Sequence, residues 1–160
     1  MRFRVLADGL GLGLMGMSFA YVLPILGGVW FQENPWLLFK AYGIPLVISF
    51  VGGLGLRLLM NRQYEQLRTS EAMLLVAVAW LVLATIGIIP YMVVIPGSLR
   101  SGAVDAFFES MSGFTTTGST ILSGLDDMPK SILLWRSLTE WLGGMGVIVL
   151  SVAILSRFFG

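Results

Sequence analysis

The chain contains no cysteine and no histidine in 160 residues, and only 12% of its residues are charged. The missing cysteine removes disulfides and thiol chemistry. Without histidine as well, the common zinc and haem ligands are absent together. No nucleophile–base constellation can be assembled from what remains, so an enzyme is not expected. The net charge is +1, too small for a nucleic-acid binder. The shortage of charge says the most. Soluble domains carry roughly 25% charged residues, whereas here 56% of the residues are hydrophobic and the mean hydropathy is +0.87. A core built from a chain of this size cannot hide so much apolar surface, so lipid is the expected solvent over much of it.

What is present divides into long apolar runs. A bilayer crossing takes about 20 residues, and four stretches qualify: Val5–Trp30, Pro35–Met60, Ala72–Val94 and Ser131–Phe158. Backbone in hydrocarbon must satisfy its own hydrogen bonds, so all are expected to be helical. Pro24, Pro45 and Pro90 should kink or end their helices. MRFRV followed by an apolar run has the outline of a signal peptide. No small-residue cleavage motif follows, and the run is too long, so an uncleaved first span is expected. Arg2, Arg4, Arg57, Arg62, Arg68 and Arg157 fall on one side of such a four-span arrangement, which predicts cytoplasmic termini. Trp30, Trp36 and Tyr91 fall where an outer aromatic belt would lie. Thr69 and Ser70 are candidate caps for the third helix, with Glu71 in its first turn. Asp8 and Lys40, near span ends, are expected to snorkel toward water. Gly9 and Gly13, and the group Gly143, Gly144 and Gly146, are read as close-packing positions between helices.

The connection from about Ile95 to Lys130 is longer than a hairpin needs. Within it, 103-AVDAFFESMSGF-114 places Ala103, Phe107, Met111 and Phe114 at spacings of three and four, a helical stripe of about three turns that is too short to span. Ser101 is a candidate cap, Asp105 suits the first turns, and Gly113 suits the end. The threonine run 114-FTTTGSTIL-122 follows. A short helix going in and an extended segment coming out predict a re-entrant loop, allowed at membrane depth only where protein or a water-filled cavity meets it. Backbone carbonyls can replace the hydration shell of a monovalent cation, and threonine hydroxyls can add another ring. Turning successive carbonyls the same way needs alternating right- and left-handed dihedrals, and glycine supplies the left-handed one cheaply. The helix would aim its negative end at the cation. Together these features have the form of a potassium filter.

Glu109 is read either as a solvated charge on the short helix or as functional, supporting the filter from behind or setting a cation-attracting field at its mouth. Asp126 and Asp127 are expected to be solvated, and Arg136 and Glu140, four apart, to pair along one helix face.

The run 107-FFESMSGFTTTGSTIL-122, followed by 135-WRSLTEWLGGMGVIVLSVAIL-155, resembles the first pore unit of the bacterial Trk potassium-uptake subunits of the TrkH/TrkG type, relatives of the KtrB and plant HKT transporters. That resemblance implies an all-α membrane protein: four transmembrane helices plus a re-entrant pore helix and filter loop between helices 3 and 4. Residues 1–68 would be two leading transmembrane helices and 69–160 a helix–pore-loop–helix unit with its filter strand at 115–120. Gly118 matches the filter glycine, and Thr116 and Thr117 match residues whose carbonyls coordinate potassium. Ser119 follows on the outer side, and Thr115 and Glu109 are candidate supports. The implied function is potassium transport across the bacterial inner membrane, with no cofactor beyond the transported ion.

A ring of carbonyls needs four such strands and this sequence supplies one, so the chain is expected to be a truncated or partial pore subunit. Membrane lipid and further pore units, from the same family or by self-assembly, are the expected partners. The resemblance adds a cytosolic TrkA-like nucleotide-binding regulator. The competing reading is a membrane structural or accessory protein with no transport of its own.

Overall fold

A computed structural model describes the backbone of residues 3–60 and 69–159, and the side chains of 3–60 and 70–148. The described residues form helices and connecting turns, with no strand among them. Helix α1 (Phe3–Ala20) continues into α2 (Val22–Trp30). A short α3 (Pro35–Leu38) passes through a π-helical turn at Phe39–Gly43 into α4 (Ile44–Leu59). Helix α5 (Thr69–Ile86) continues into α6 (Ile88–Val94). The short α7 (Ala103–Phe114) and the long α8 (Lys130–Phe159) complete the chain.

Phe3–Trp30, Pro35–Leu59 and Ser70–Val94 are each long and apolar enough to cross a membrane. Helix α8 has 30 residues, about 45 Å at 1.5 Å per residue, which also exceeds a bilayer core. The protein is therefore an all-α membrane protein. The sequence positions of Arg2, Arg62, Arg68 and Arg157, and the capping side chain of Thr69, lie outside the described residues or side chains.

The prolines set the breaks. A proline ring clashes with the carbonyl four residues earlier and offers no N–H to it. Helix α1 ends at Ala20, four residues before Pro24, and α5 ends at Ile86, four before Pro90. Pro45 acts on Ala41, which lies inside the π-helical turn, where the Ile44 N–H bonds back to the Phe39 carbonyl. The wider turn accommodates the proline without stopping the helix. Asn34 starts α3, its Oδ1 accepting from the Trp36 and Leu37 N–H groups at 2.9 and 3.4 Å, with Pro35 at the first helical position.

Helices α1 and α4 pack face to face. A Cβ on Gly11 would lie 2.7 Å from the Gly53 carbonyl, and one on Gly53 would lie 2.5 Å from the Gly11 carbonyl, so the two backbones touch. Of the predicted pair, Gly9 is a close-packing position, a Cβ there lying 2.6 Å from Leu75 Cδ2, whereas a Cβ on Gly13 would meet nothing within 4 Å; the glycine against α4 is Gly11. At the end of this pair Arg57 Nε donates to Asp8 Oδ1 at 3.1 Å. Asp8 is partnered, not snorkelling. Lys40 lies 5.5 Å over the ring of Trp36, one turn away on the same helical path.

The core gathers on Trp135 of α8, which is fully buried. Tyr21 stacks on it at 4.6 Å between ring centroids, Tyr42 leans on it at 6.3 Å, and Phe114 meets it edge-on at 6.5 Å. Tyr91 is also fully buried, so it does not belong to an interfacial belt, while Trp30 and Trp36 are exposed. The start of α8 is fixed from across the core: the Ser131 N–H and hydroxyl both donate to the Glu33 carboxylate, at 2.9 and 2.5 Å. An anion there also meets the positive end of α8.

Candidate functional site: a segment behind which an ion pair stands

Helix α7 wedges between α5, α6 and α8. Its approach to α8 is governed by two glycines. A Cβ on Gly113 would lie 2.3 Å from Thr139 Oγ1, and one on Gly143 would lie 2.2 Å from the Phe114 carbonyl oxygen. On the other side, a Cβ on Gly87 would lie 2.3 Å from Ser110 Oγ. The sequence reading placed Gly113 at the helix end for its freedom; the structure uses it, inside the helix, for close contact. At the other end the N-cap is Gly102, with φ +56, instead of Ser101. Asp105, in the first turn, accepts from the N–H of Ser101, the residue before the cap, at 2.8 Å.

The end of α7 is where the threonine run begins. The Thr116 N–H reaches the Gly113 carbonyl at 2.9 Å, and the Thr117 N–H reaches the Ser112 carbonyl at 3.0 Å. This is the Schellman pattern, which requires a left-handed residue one position beyond the cap. That residue is Thr116, at φ +55. Left-handed backbone is unfavourable for a β-branched side chain. Two residues later Gly118 is left-handed again, at φ +70, while Thr117 is not. The alternation expected for a carbonyl-presenting segment is therefore present, but its first left-handed position is a threonine.

From Thr115 to Ile121 every residue is exposed, and the side chains that tie the segment to the rest of the fold come from α7 and α8. Ser112 Oγ donates to the Ser119 carbonyl at 2.7 Å. Thr115 Oγ1 donates to the Met111 carbonyl at 2.8 Å and lies 2.8 Å from Thr117 Oγ1. Thr116 Oγ1 donates to the Thr115 carbonyl at 2.7 Å. The strongest anchor is Glu109, whose carboxylate is fully buried. Its Oε1 accepts from Thr120 Oγ1 and from the Ile121 N–H, both at 2.7 Å. Its Oε2 accepts from Arg136 Nη1, and the same guanidinium reaches Thr120 Oγ1 at 3.2 Å. Glu109 thus ties α7 to the outgoing chain at Thr120 and Ile121. Arg136 reaches across to α7 and does not pair along α8 with Glu140, as its spacing had led us to expect. Charge-assisted bonds of this kind are roughly twice as strong as neutral ones, and the pair clamps α7, α8 and the outgoing chain together.

Of the sequence-predicted residues, Thr115, Thr116, Thr117, Gly118 and Ser119 form one continuous exposed segment, and Glu109 backs it. Asp126 and Asp127 stand apart from it in an exposed turn at Leu125–Asp127. Ser112, Thr120, Arg136 and Gly143 were not singled out as parts of the site. Ser112 lies three residues after Glu109, on the same face of α7, which was the available signal. Nothing local in the sequence marks Arg136 as a partner of Glu109, 27 residues away.

A family model described as TrkH, cation transport protein, matches residues 41–160. The chain belongs to this cation-transport family. It is 42% identical over 156 residues to the Trk system potassium uptake protein TrkH of Halomonas elongata, covering 97% of this chain and 31% of that relative. It is 35% identical over 155 residues to the TrkH protein of Escherichia coli strain K12, again covering 97% of this chain and 31% of the relative. It is 31% identical over 152 residues to the TrkG potassium uptake protein of the same strain, covering 95% of this chain and 30% of the relative. The chain therefore spans under a third of the length of these relatives. The relatives are named as transporters, not enzymes.

Proposed function

We propose that this chain contributes one quarter of a potassium filter, formed by Thr116, Thr117, Gly118 and Ser119, with Thr115 and Glu109 as supports. The observation that carries the reading is the left-handed backbone at Thr116 and Gly118 within an exposed segment anchored only from behind. Alternating handedness turns neighbouring carbonyls to one side, and anchorage from behind leaves the opposite side free for a partially dehydrated cation. Helix α7 ends one residue before the segment, so the negative end of its dipole adds to the attraction.

In this reading α7 and the segment after it form a re-entrant loop between the third and fourth spans. Residues 1–68 lead, and 69–160 make the pore unit. The remaining three quarters come from further pore units, of the same family or by self-assembly. The transport is potassium uptake across the bacterial inner membrane, both termini being cytoplasmic, with a TrkA-like nucleotide-binding protein as the cytosolic regulator. The names of the relatives support the potassium assignment.

The test is rubidium uptake by the full chain in cells lacking potassium uptake, with Gly118→Ser beside the unaltered sequence. A Cβ at φ +70 strains the backbone by about 1–3 kcal/mol and should turn the carbonyls. Potassium selection over sodium should loosen. Unchanged selectivity in an actively transporting variant would remove Gly118 from the filter.

A further inference from the structure

The cleft behind the filter segment holds a carboxylate that the Glu109–Arg136 clamp does not use. Glu140 lies one turn beyond Arg136 on α8 and lines this cleft with Tyr91, Glu109, Ser112, Ser119 and Arg136. Its Oε1 lies 4.0 Å from where a Cβ on Gly118 would stand, the one atom within that distance. The carboxylate therefore faces the filter glycine from behind. Among the described residues the ion pairs are Asp8 with Arg57 and Glu109 with Arg136, so Glu140 has no cationic partner there. Arg136 is taken up by Glu109 and Thr120. The cleft then holds one cationic and two anionic side chains, a formal charge of −1. A second polar group faces the same space: the Tyr91 hydroxyl is fully buried and has no hydrogen-bond partner.

An ionisable side chain within a membrane helix is costly and is retained where a polar pathway uses it. Helical spacing alone would have made Glu140 the partner of Arg136. The fold instead gives Arg136 to Glu109 and leaves the negative charge of Glu140 beside Gly118. Resting on the filter reading above, we propose that Glu140 is a positioning residue for cation affinity. Its uncompensated charge, set beside Gly118, strengthens the hold of the Thr116–Gly118 carbonyls on a monovalent cation. It does so through the field, without touching the ion, because the filter backbone stands between them.

The test is concentration-dependent rubidium uptake in potassium-uptake-deficient cells expressing the full chain, with each variant's membrane level measured alongside. Glu140→Gln keeps shape and hydrogen bonding but removes the charge. A charge felt over several ångströms in a partly buried site is worth about a tenfold change in affinity or more, so the KM for rubidium should rise about tenfold. The maximal rate per protein should change less than about twofold, and Glu140→Asp should recover most of the affinity. An unchanged KM in Glu140→Gln, or a fall in maximal rate at constant KM, would overturn the proposal and leave the filter reading standing. Uptake that requires the unaltered chain but does not select rubidium over sodium would refute the filter reading itself, and this inference with it.

Discussion

Gly143 offers the sharpest test of how the segment is positioned, because its neighbour Gly144 is a built-in control. A methyl group added at Gly143 would stand 2.2 Å from the Phe114 carbonyl oxygen, 2.8 Å from its carbonyl carbon and 3.1 Å from its Cα. All three are backbone atoms, so no side chain can swing away. Ordinary van der Waals contact begins at 3.4 Å, so α7 must retreat from α8 by roughly 1 Å at the residue that leads into the threonine run. Overpacking of this kind costs about 1–3 kcal/mol. The displacement is passed directly to the threonine segment, since Thr115 and Thr116 bond back to the last turn of α7. A methyl group at Gly144 would meet only Thr116 Cγ2, at 3.7 Å. Gly143→Ala should therefore lower the melting temperature in detergent and degrade rubidium selection over sodium, whereas Gly144→Ala should leave both near their original values. If the two alanine variants prove equally stable and equally selective, the close approach of α8 to Phe114 does not set the position of the segment.

Two further predictions concern Glu109 and Thr116. Glu109→Ala leaves Arg136 facing a buried hole and strips Thr120 and Ile121 of their acceptor, and breaking a buried pair in this way costs about 3–5 kcal/mol. Thermal denaturation should show the loss, and replacing both Glu109 and Arg136 by apolar residues should recover much of the stability but not the ion selection; a Glu109→Ala variant within about 1 kcal/mol of the original would mean the clamp is not structural. Thr116→Gly removes a β-branched side chain from φ +55 and should be neutral or stabilising by about 1 kcal/mol, yet it should loosen selection for rubidium over sodium. Equal selection in a stable Thr116→Gly protein would show that the threonine side chain contributes nothing to the site.

The helices were legible because their cause is local. Lipid demands long apolar runs, and Pro24 and Pro90 each mark a break four residues upstream. The turn of the threonine run was legible for the same reason: TTTGS after a short amphipathic stripe is a local pattern, and a left-handed glycine stands at Gly118. The positions of individual glycines were not, since Gly11 and Gly13 look alike until a facing backbone is known, and only Gly11 meets Gly53. Tyr91 went astray similarly: its place at a span end suits an interface, but the packing of α6 on α7 and α8 turns it inward.

The charges show most clearly where sequence spacing stops being informative. Arg136 and Glu140 satisfy the helical rule for a pair, but such a pair on a helix surface is worth only about 0.2–0.5 kcal/mol. Glu109, brought across by the close seating of α7 on Gly143, offers Arg136 a fully buried carboxylate. Leaving that carboxylate unpaired would cost several kcal/mol, so the buried partner wins by an order of magnitude. The outcome has two consequences at once. It fixes the outgoing chain at Thr120 and Ile121, and it leaves Glu140 beside Gly118. A local rule that predicts neutral charge at this point gives way to a tertiary contact that leaves Glu140 with no cationic partner among the described residues.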